Sequence, residues 1–293
     1  MKGTQRDVDR LRPIDDPMFR VMALSKAFCE EVLRVLLEDK GLTVVKSTPQ
    51  SHVTNTRGRS AVLDALCELS DGRLVNVEVQ RADDDDLQRR VRYYASLVTT
   101  DRTPPGARFA DVPDVCVALV CEFDPLGEGC SLYHVDRVVR EGGRALDNGL
   151  EELYVNALAR DGGEVSALMR VFTEAEAYDE ERFPETSRVK HRLRETEEGR
   201  KDMGSVIEEI REEIRAECIA EGIETGRAEG KAEGIAEGTL KTLVRLVRDG
   251  LVSVQDAAAS AGVDADEIRR TLAAGDGTQT SSGGSLRRQS PST

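Results

Sequence analysis

The alternation of apolar and polar positions divides the chain into a mixed first part and an all-helical remainder. From Lys26 to Asp39 apolar residues recur at helical spacing, with Phe28, Val32, Val35 and Leu36 on one face. Ser25 is placed to cap this helix and Gly41 to stop it. Leu42 to Val53 reads as a strand region. Two further runs, Ala61 to Leu69 and Arg73 to Gln80, flank Ser70-Asp71-Gly72 and predict a hairpin. Asp85 to Val98 predicts a second helix, and Val115 to Phe123 is a nearly continuous apolar run of the buried-strand type. Ser131 to Val139 and Glu152 to Ala157 are strand-like, and Gly163 to Phe172 returns to a helical pattern.

The hairpin register follows from its turn. A three-residue loop closed by Gly72 in the left-handed conformation sets Leu69 opposite Arg73 and Asp64 opposite Glu78. One face then carries Leu63, Ala65, Cys67, Leu69, Val75, Val77 and Val79, and the other Asp64, Glu68, Asn76, Glu78 and Gln80. A two-residue loop shifts the pairing by one and mixes these faces, because side-chain direction alternates along a strand. The register brings the Asp64 and Glu78 Cβ atoms to roughly 4.5–5.5 Å. Two carboxylates that close on a half-buried sheet repel and call for a cation. Mg²⁺, or Mn²⁺ in its place, takes carboxylate oxygens, a backbone carbonyl such as that of Val79, and waters. Such an ion serves phosphodiester hydrolysis by activating water and polarising a phosphoryl oxygen. Beyond the hairpin, Arg89, Arg90, Arg92 and Tyr93 share one helix and could meet DNA phosphates, for which the guanidinium fork is suited. The plainer alternatives are an exposed polar hairpin face and a solvated basic helix.

Charge changes this picture little. The net charge of −14 lacks a basic footprint, but much of the acid lies between Glu174 and Glu237, while Arg57, Arg59, Arg81, Arg89, Arg90 and Arg92 flank the hairpin. Of the six cysteines, Cys29, Cys67, Cys116 and Cys121 sit in apolar runs and Cys130 and Cys218 stand alone, so reduced thiols are expected rather than a disulfide or zinc framework. No apolar run approaches the ~20 residues that span a bilayer, and the N-terminus has no signal-type apolar stretch. A cytoplasmic protein without membrane attachment is expected.

From about Glu185 the chain is charged and helical. Glycine recurs every fourth residue at Gly222, Gly226, Gly230, Gly234 and Gly238. Each weakens a lone helix by about 1 kcal/mol relative to alanine, so the repeat is either a close-approach stripe for another helix or a half-ordered linker. Thr239 to Asp249, SVQDAAASAG and DADEIRRTLA predict three short helices, with capping boxes at Ser253/Asp256 and Asp264/Glu267. The pattern is similar to a helix-turn-helix, but its third helix opens on acids, so packing or oligomerisation competes with DNA reading. The expected organisation is a tail over 1–12, a domain over 13–175, a helical connector over 176–220, the repeat over 221–238, the three-helix segment over 239–274 and a disordered tail over 275–293.

The segments RPIDDPMFRVM, VLDALCELSDGRLVNVEVQ, RRVRYYASLVTTD, CEFDPLGEGCSLYHV and LEELYVNA, with the EGxx repeat and helical tail, resemble the PD-(D/E)XK nuclease family transposases, related to the Rpn recombination-promoting nucleases. The likeness covers roughly residues 12 to 275. It implies the α/β (more narrowly α+β) restriction-endonuclease-like αβββαβ core, whose order the predicted elements follow, with a C-terminal helical extension. It also implies a metal-dependent DNA endonuclease in which Asp64 and Glu78 match the motif acids and Gln80 the position of the superfamily's lysine. A neutral glutamine can orient water but supplies no positive charge. Relatives carry an acid where this chain has Ala27, so Glu30 or Glu31, one turn along, becomes the candidate third metal ligand. A homodimer through the C-terminal helices is a further expectation. The competing reading is a catalytically weak or inactive DNA-binding or interaction protein that retains the fold.

Overall fold

The computed structural model describes residues 10–55, 58–83 and 86–276. Arg57, Asp85 and most of the two expected tails lie outside the described residues. The chain forms two compact units, Met1–Glu212 and Glu213–Thr293.

In the first unit, helix α1 (Asp16–Met22) precedes α2 (Lys26–Leu36). Ser25 caps α2 by accepting from the Phe28 amide at 3.3 Å. The helix ends earlier than its apolar pattern suggests, because Glu38 takes a left-handed φ of 52° and Arg34 Nε turns to the Leu42 carbonyl at 2.9 Å. Strands β1 (Val44–Val53), β2 (Ala61–Leu69) and β3 (Leu74–Gln80) are followed by helix α3 (Leu87–Arg102). Asp86 caps α3 through the Arg89 amide at 3.0 Å. Next come β4 (Val115–Cys121), β5 (Leu132–Val135), the short ribbon of β6 (Val138–Val139) and β7 (Arg144–Ala145), and β8 (Leu150–Asn156). Helices α4 (Glu164–Thr173) and α5 (Pro184–Glu195) close the unit, and α6 (Glu197–Arg248) begins in it. The single strand expected over Ser131 to Val139 is thus two: β5 joins the main sheet, and Val138–Val139 leaves it to pair with Arg144–Ala145.

The main sheet has the order β1-β2-β3-β4-β8-β5. β1, β2 and β3 form an antiparallel meander, β3, β4 and β8 run parallel, and β5 returns antiparallel. Apolar side chains fill both faces. Ala65, Cys67, Val75, Val77, Cys116, Ala118 and Val120 pack with α1, α2, α4 and α5 on one side. Leu66, Leu74, Val115, Val117 and Leu119 pack with Leu87, Val91, Ala95 and Val98 of α3 on the other. This is the mixed α+β arrangement that the sequence implies, with helices on both faces of an αβββαβ core.

The four thiols expected in apolar runs are buried and Cys130 and Cys218 are exposed; all six are free. Among the described residues no helix is long and apolar enough to cross a membrane.

In the second unit the glycine repeat is helical, within α6, and a Cβ added at any of its five glycines would meet nothing within 4 Å. Val244 of α6 packs with Ala257 and Ala258 of α7 (Val254–Ala261) and Ile268 of α8 (Ala265–Asp276). Ser253 caps α7 through the Asp256 amide at 3.1 Å, and Gly262, at φ 69°, ends it in the left-handed conformation that glycine adopts without strain.

Candidate active site

The hairpin forms in the derived register. Ala65 pairs with Val77, Leu66 with Asn76, Cys67 with Val75 and Glu68 with Leu74. Gly72 sits at φ +92° and its amide closes the turn on the Leu69 carbonyl at 3.1 Å, while the Leu69 amide reaches Arg73 O at 2.9 Å. Continued one pair further, this register faces Asp64 toward Glu78.

There the backbone ladder gives way to side chains. The Asp64 amide donates to Glu78 Oε1 at 3.3 Å, and the Val79 amide donates to Asp64 Oδ2 at 2.9 Å. On the other side of β2 the pairing with β1 skips Gln50 and Asp64, and Gln50 has a φ of 50°. This irregularity has a consequence for facing: Leu63 packs with Val53, Leu66 and Leu74 in the α3-side core rather than with Ala65 and Cys67. The regular alternation expected through Leu63 is therefore broken at Asp64, and a bend of this kind opens a strand where a functional group must be aimed.

The acids are not on a solvated face. Asn76 is 0% exposed and Glu78 6% exposed, under α3. Asn76 Nδ2 donates to Glu78 Oε1 at 2.9 Å, so that oxygen receives two donors from the chain. Asn76 Oδ1 is buried without a hydrogen-bond partner. Burial, then the charge of Asp64, pushes the Glu78 carboxyl well above its usual range. Burial also pushes Asp64 up to about 7, against the hydrogen bond from Val79; the neighbouring charge of Asp16 raises it further and that of Arg90 lowers it. Two adjoining acids whose carboxyls burial pushes upward suit a hard divalent cation, which would replace their protons. Mg²⁺ is commonly held by one or two carboxylates with waters and substrate phosphate, a set to which Asp64 and Glu78 could contribute, since among the described residues no larger group of acids, histidines or cysteines gathers there.

Glu30 and Glu31 do not join this pair. Glu30 accepts from the Val44 amide at 2.9 Å and pairs with Arg34 at 2.6 Å. Glu31 accepts from the Glu185 and Thr186 amides at 3.0 and 2.7 Å, capping the positive end of α5. Both line, with Ala27, a separate cleft of about 710 Å³ whose lining includes neither Asp64 nor Glu78.

The acid whose charge does reach Asp64 is Asp16, in the first turn of α1, a helix that packs on β1 and β2. Its segment is anchored to the sheet by a four-residue ionic network. Arg12 binds Asp15 and Glu122, and Arg81 bridges Asp15 at 3.0 Å and Glu122 at 2.9 Å. Arg81, next to Gln80, is therefore committed to structure. The sequence contained a signal for this element: Asp15-Asp16-Pro17 is an acid-and-proline helix start, though only tertiary packing brings it beside Asp64.

Gln80 lies at the carboxyl end of β3, where ligand sites of parallel strands form. Its Oε1 accepts from Arg90 Nη1 at 2.6 Å and its Nε2 donates to the Ala82 carbonyl at 2.6 Å. Arg89, Arg90, Arg92 and Tyr93 line one cleft of about 360 Å³ together with Arg59, Asp86 and Tyr94. Arg89 and Arg92 are exposed and Arg90 is half-buried. The Tyr93 hydroxyl donates to the Arg59 carbonyl, and the Tyr94 hydroxyl is raised to about 12, first by burial and then by the charge of Glu78.

Residues 27–159 match a family model described as PD-(D/E)XK nuclease family transposase. No curated protein and no solved structure gives a significant match to the chain. The matched stretch contains the hairpin, the acid pair and the arginine-bearing helix, and it stops short of both Asp16 and the second unit. Residues 27–159, with their mixed sheet and helices on both faces, are thus similar to the PD-(D/E)XK nuclease family transposases.

Proposed function

We propose that the protein is a metal-dependent DNA endonuclease of the transposase or recombination-promoting type. The observation that carries this reading is the side-by-side placement of Asp64, half-buried, and Glu78, buried, near a helix whose arginines line a cleft. A divalent cation held there, Mg²⁺ or Mn²⁺, would polarise a phosphoryl oxygen and make water a competent nucleophile near neutral pH.

The chain's own residues do the rest. Asn76 and the Asp64 amide engage one Glu78 oxygen, leaving the other for the cation. The Val79 amide orients Asp64 in the same way. Among the described residues no three acids, histidines or cysteines stand close enough together to hold a metal ion, so Asp16 acts on the pair through its charge and does not take the ligand role for which the sequence suggests Glu30 or Glu31. Arg89, Arg92 and Tyr93 receive the DNA backbone, since phosphate contacts position a duplex without reading it.

A second reading, a nuclease fold that binds DNA and does not cut it, is favoured by one feature: Asp64 Oδ2 and Glu78 Oε1 already accept hydrogen bonds from the chain itself. Conversion of supercoiled plasmid to nicked or linear form in Mg²⁺ or Mn²⁺ separates the two. Cleavage by the wild type that is lost in Asp64→Ala and Glu78→Ala supports the enzyme. Equal background in all three proteins supports the silent fold.

A further inference from the structure

The acid pair of this site is anionic and Gln80, beside it, is neutral, yet phosphoryl transfer spreads negative charge over the oxygens of the reacting phosphate. A cation from the protein is therefore needed at the open end of the pair, in addition to any metal. Arg90 meets the geometric requirement. It is half-buried on α3, its Nη1 is 2.6 Å from Gln80 Oε1, and it lines the cleft that also carries Arg89, Arg92 and Tyr93. It thus links the cleft to Gln80, two residues beyond Glu78 on β3. Its charge is felt by Asp64, Glu78 and the Tyr94 hydroxyl alike, lowering all three. Tyr94 lies one turn along the same face of α3, since residues four apart on a helix are neighbours.

Gln80 takes a different role from the water-orienting one that its chemistry first suggests. Its amide is held at both ends, Nε2 by the Ala82 carbonyl at 2.6 Å and Oε1 by Arg90. A glutamine so fixed is a strut. It sets the position of the Arg90 guanidinium.

We propose that Arg90, positioned by Gln80, is the catalytic cation of the site and contacts the non-bridging oxygens of the scissile phosphate. The proposal rests on the phosphodiester-hydrolysis reading and deepens it: Gln80 becomes a positioning residue, and the positive charge arrives from α3 instead of β3.

The test uses the full-length protein with supercoiled plasmid in Mg²⁺ for turnover, and a fluorescein-labelled duplex in Ca²⁺ for affinity. Arg90→Met, Gln80→Lys and the double variant are compared with wild type and with Asp64→Ala. Arg90→Met is expected to lower turnover at saturating DNA by roughly 10²–10³-fold, the range for loss of one preorganised charge-stabilising donor, with the duplex Kd within about threefold of wild type. In the double variant a lysine at position 80 restores the charge from the strand, and turnover recovers at least tenfold over Arg90→Met. A binding loss with turnover intact at saturation makes Arg90 a simple backbone anchor and overturns the proposal. So does a turnover loss that the double variant does not recover. Cleavage that is absent from wild type, or unchanged in Asp64→Ala, removes the hydrolysis reading itself, an outcome distinct from cleavage that depends on Asp64 and ignores Arg90.

Discussion

Asp64 takes most of its properties from what surrounds it. Folding raises its carboxyl from the ordinary range near 4 to about 7, so the folded state binds a proton that the unfolded state has already released. Such a group is least unfavourable below the unfolded pKa, and the stability it allows is lost as pH rises through the folded value. In EDTA, the melting temperature of the wild type should fall between pH 5 and pH 8. Asp64→Asn, which keeps the shape and removes the buried charge, should flatten that fall and melt higher at pH 8, by roughly 2–4 °C for each 1 kcal/mol relieved. Mg²⁺ should raise the wild-type melting temperature at pH 8 and leave that of the variant nearly unmoved. Differential scanning fluorimetry measures all of this. Asp16 gives a second test at this scale. If its charge supports the site, Asp16→Asn raises the Mg²⁺ concentration for half-maximal cleavage by about 10-fold or more, the scale on which supporting groups around a metal act. An unchanged metal titration would remove Asp16 from the site. Asp64, Glu78 and Gln80 were legible in the sequence because a period-two pattern and a turn fix their facing. Asp16 was not, because its approach to Asp64 depends on the Arg12–Asp15–Glu122–Arg81 network, whose members are far apart in the chain.

At the scale of elements, the hairpin turn and the helix caps decide the geometry. Gly72 holds φ +92° with nothing within 4 Å of an added Cβ, so Gly72→Ala meets only backbone strain. Its expected effect is a destabilisation of about 1 kcal/mol or slightly more, read by chemical denaturation. Glu31→Ala removes the carboxylate that satisfies two amides at the start of α5. It should cost about 0.5–2 kcal/mol, as lost caps do, while the Mg²⁺ dependence of cleavage stays as in wild type. A shift in that dependence would return Glu31 to the metal site. The contrast between these two elements explains what pattern reading can reach. The hairpin register is local: the Ser70-Asp71-Gly72 loop, with Gly72 at positive φ, and the apolar alternation on either side determine it. The break in alternation at Asp64, which places Leu63 on the α3 side, lies beside Gln50 of the neighbouring strand, whose φ is positive. Nothing in the alternation of β2 announces it. Helix α2 was visible through its apolar stripe, but the partners of its polar face, β1 for Glu30 and α5 for Glu31, belong to tertiary packing.

For the whole molecule, the sequence divides the chain between a mixed domain and a helical extension, and the structure forms two compact units. In the second, the glycine repeat is helical and Ile219, Ile223 and Ile235 are 56–66% exposed. Ile219 and Ile223, four residues apart, share a face of the helix, and that exposed apolar face is expected to associate with another copy of itself. Light scattering of the full chain should give a mass above the monomer, and removal of residues 219–275 should return it to the monomer. An unchanged mass would exclude this assembly. The central claim concerns the first unit, and one measurement addresses it most directly: the rate of Mg²⁺-dependent plasmid nicking by Glu78→Gln beside the wild type, with both proteins' melting temperatures recorded in EDTA. The account predicts a rate at least about 10³-fold lower in a protein that melts no lower than wild type, because the amide preserves packing and relieves a buried acid. Equal rates from two equally folded proteins would contradict it.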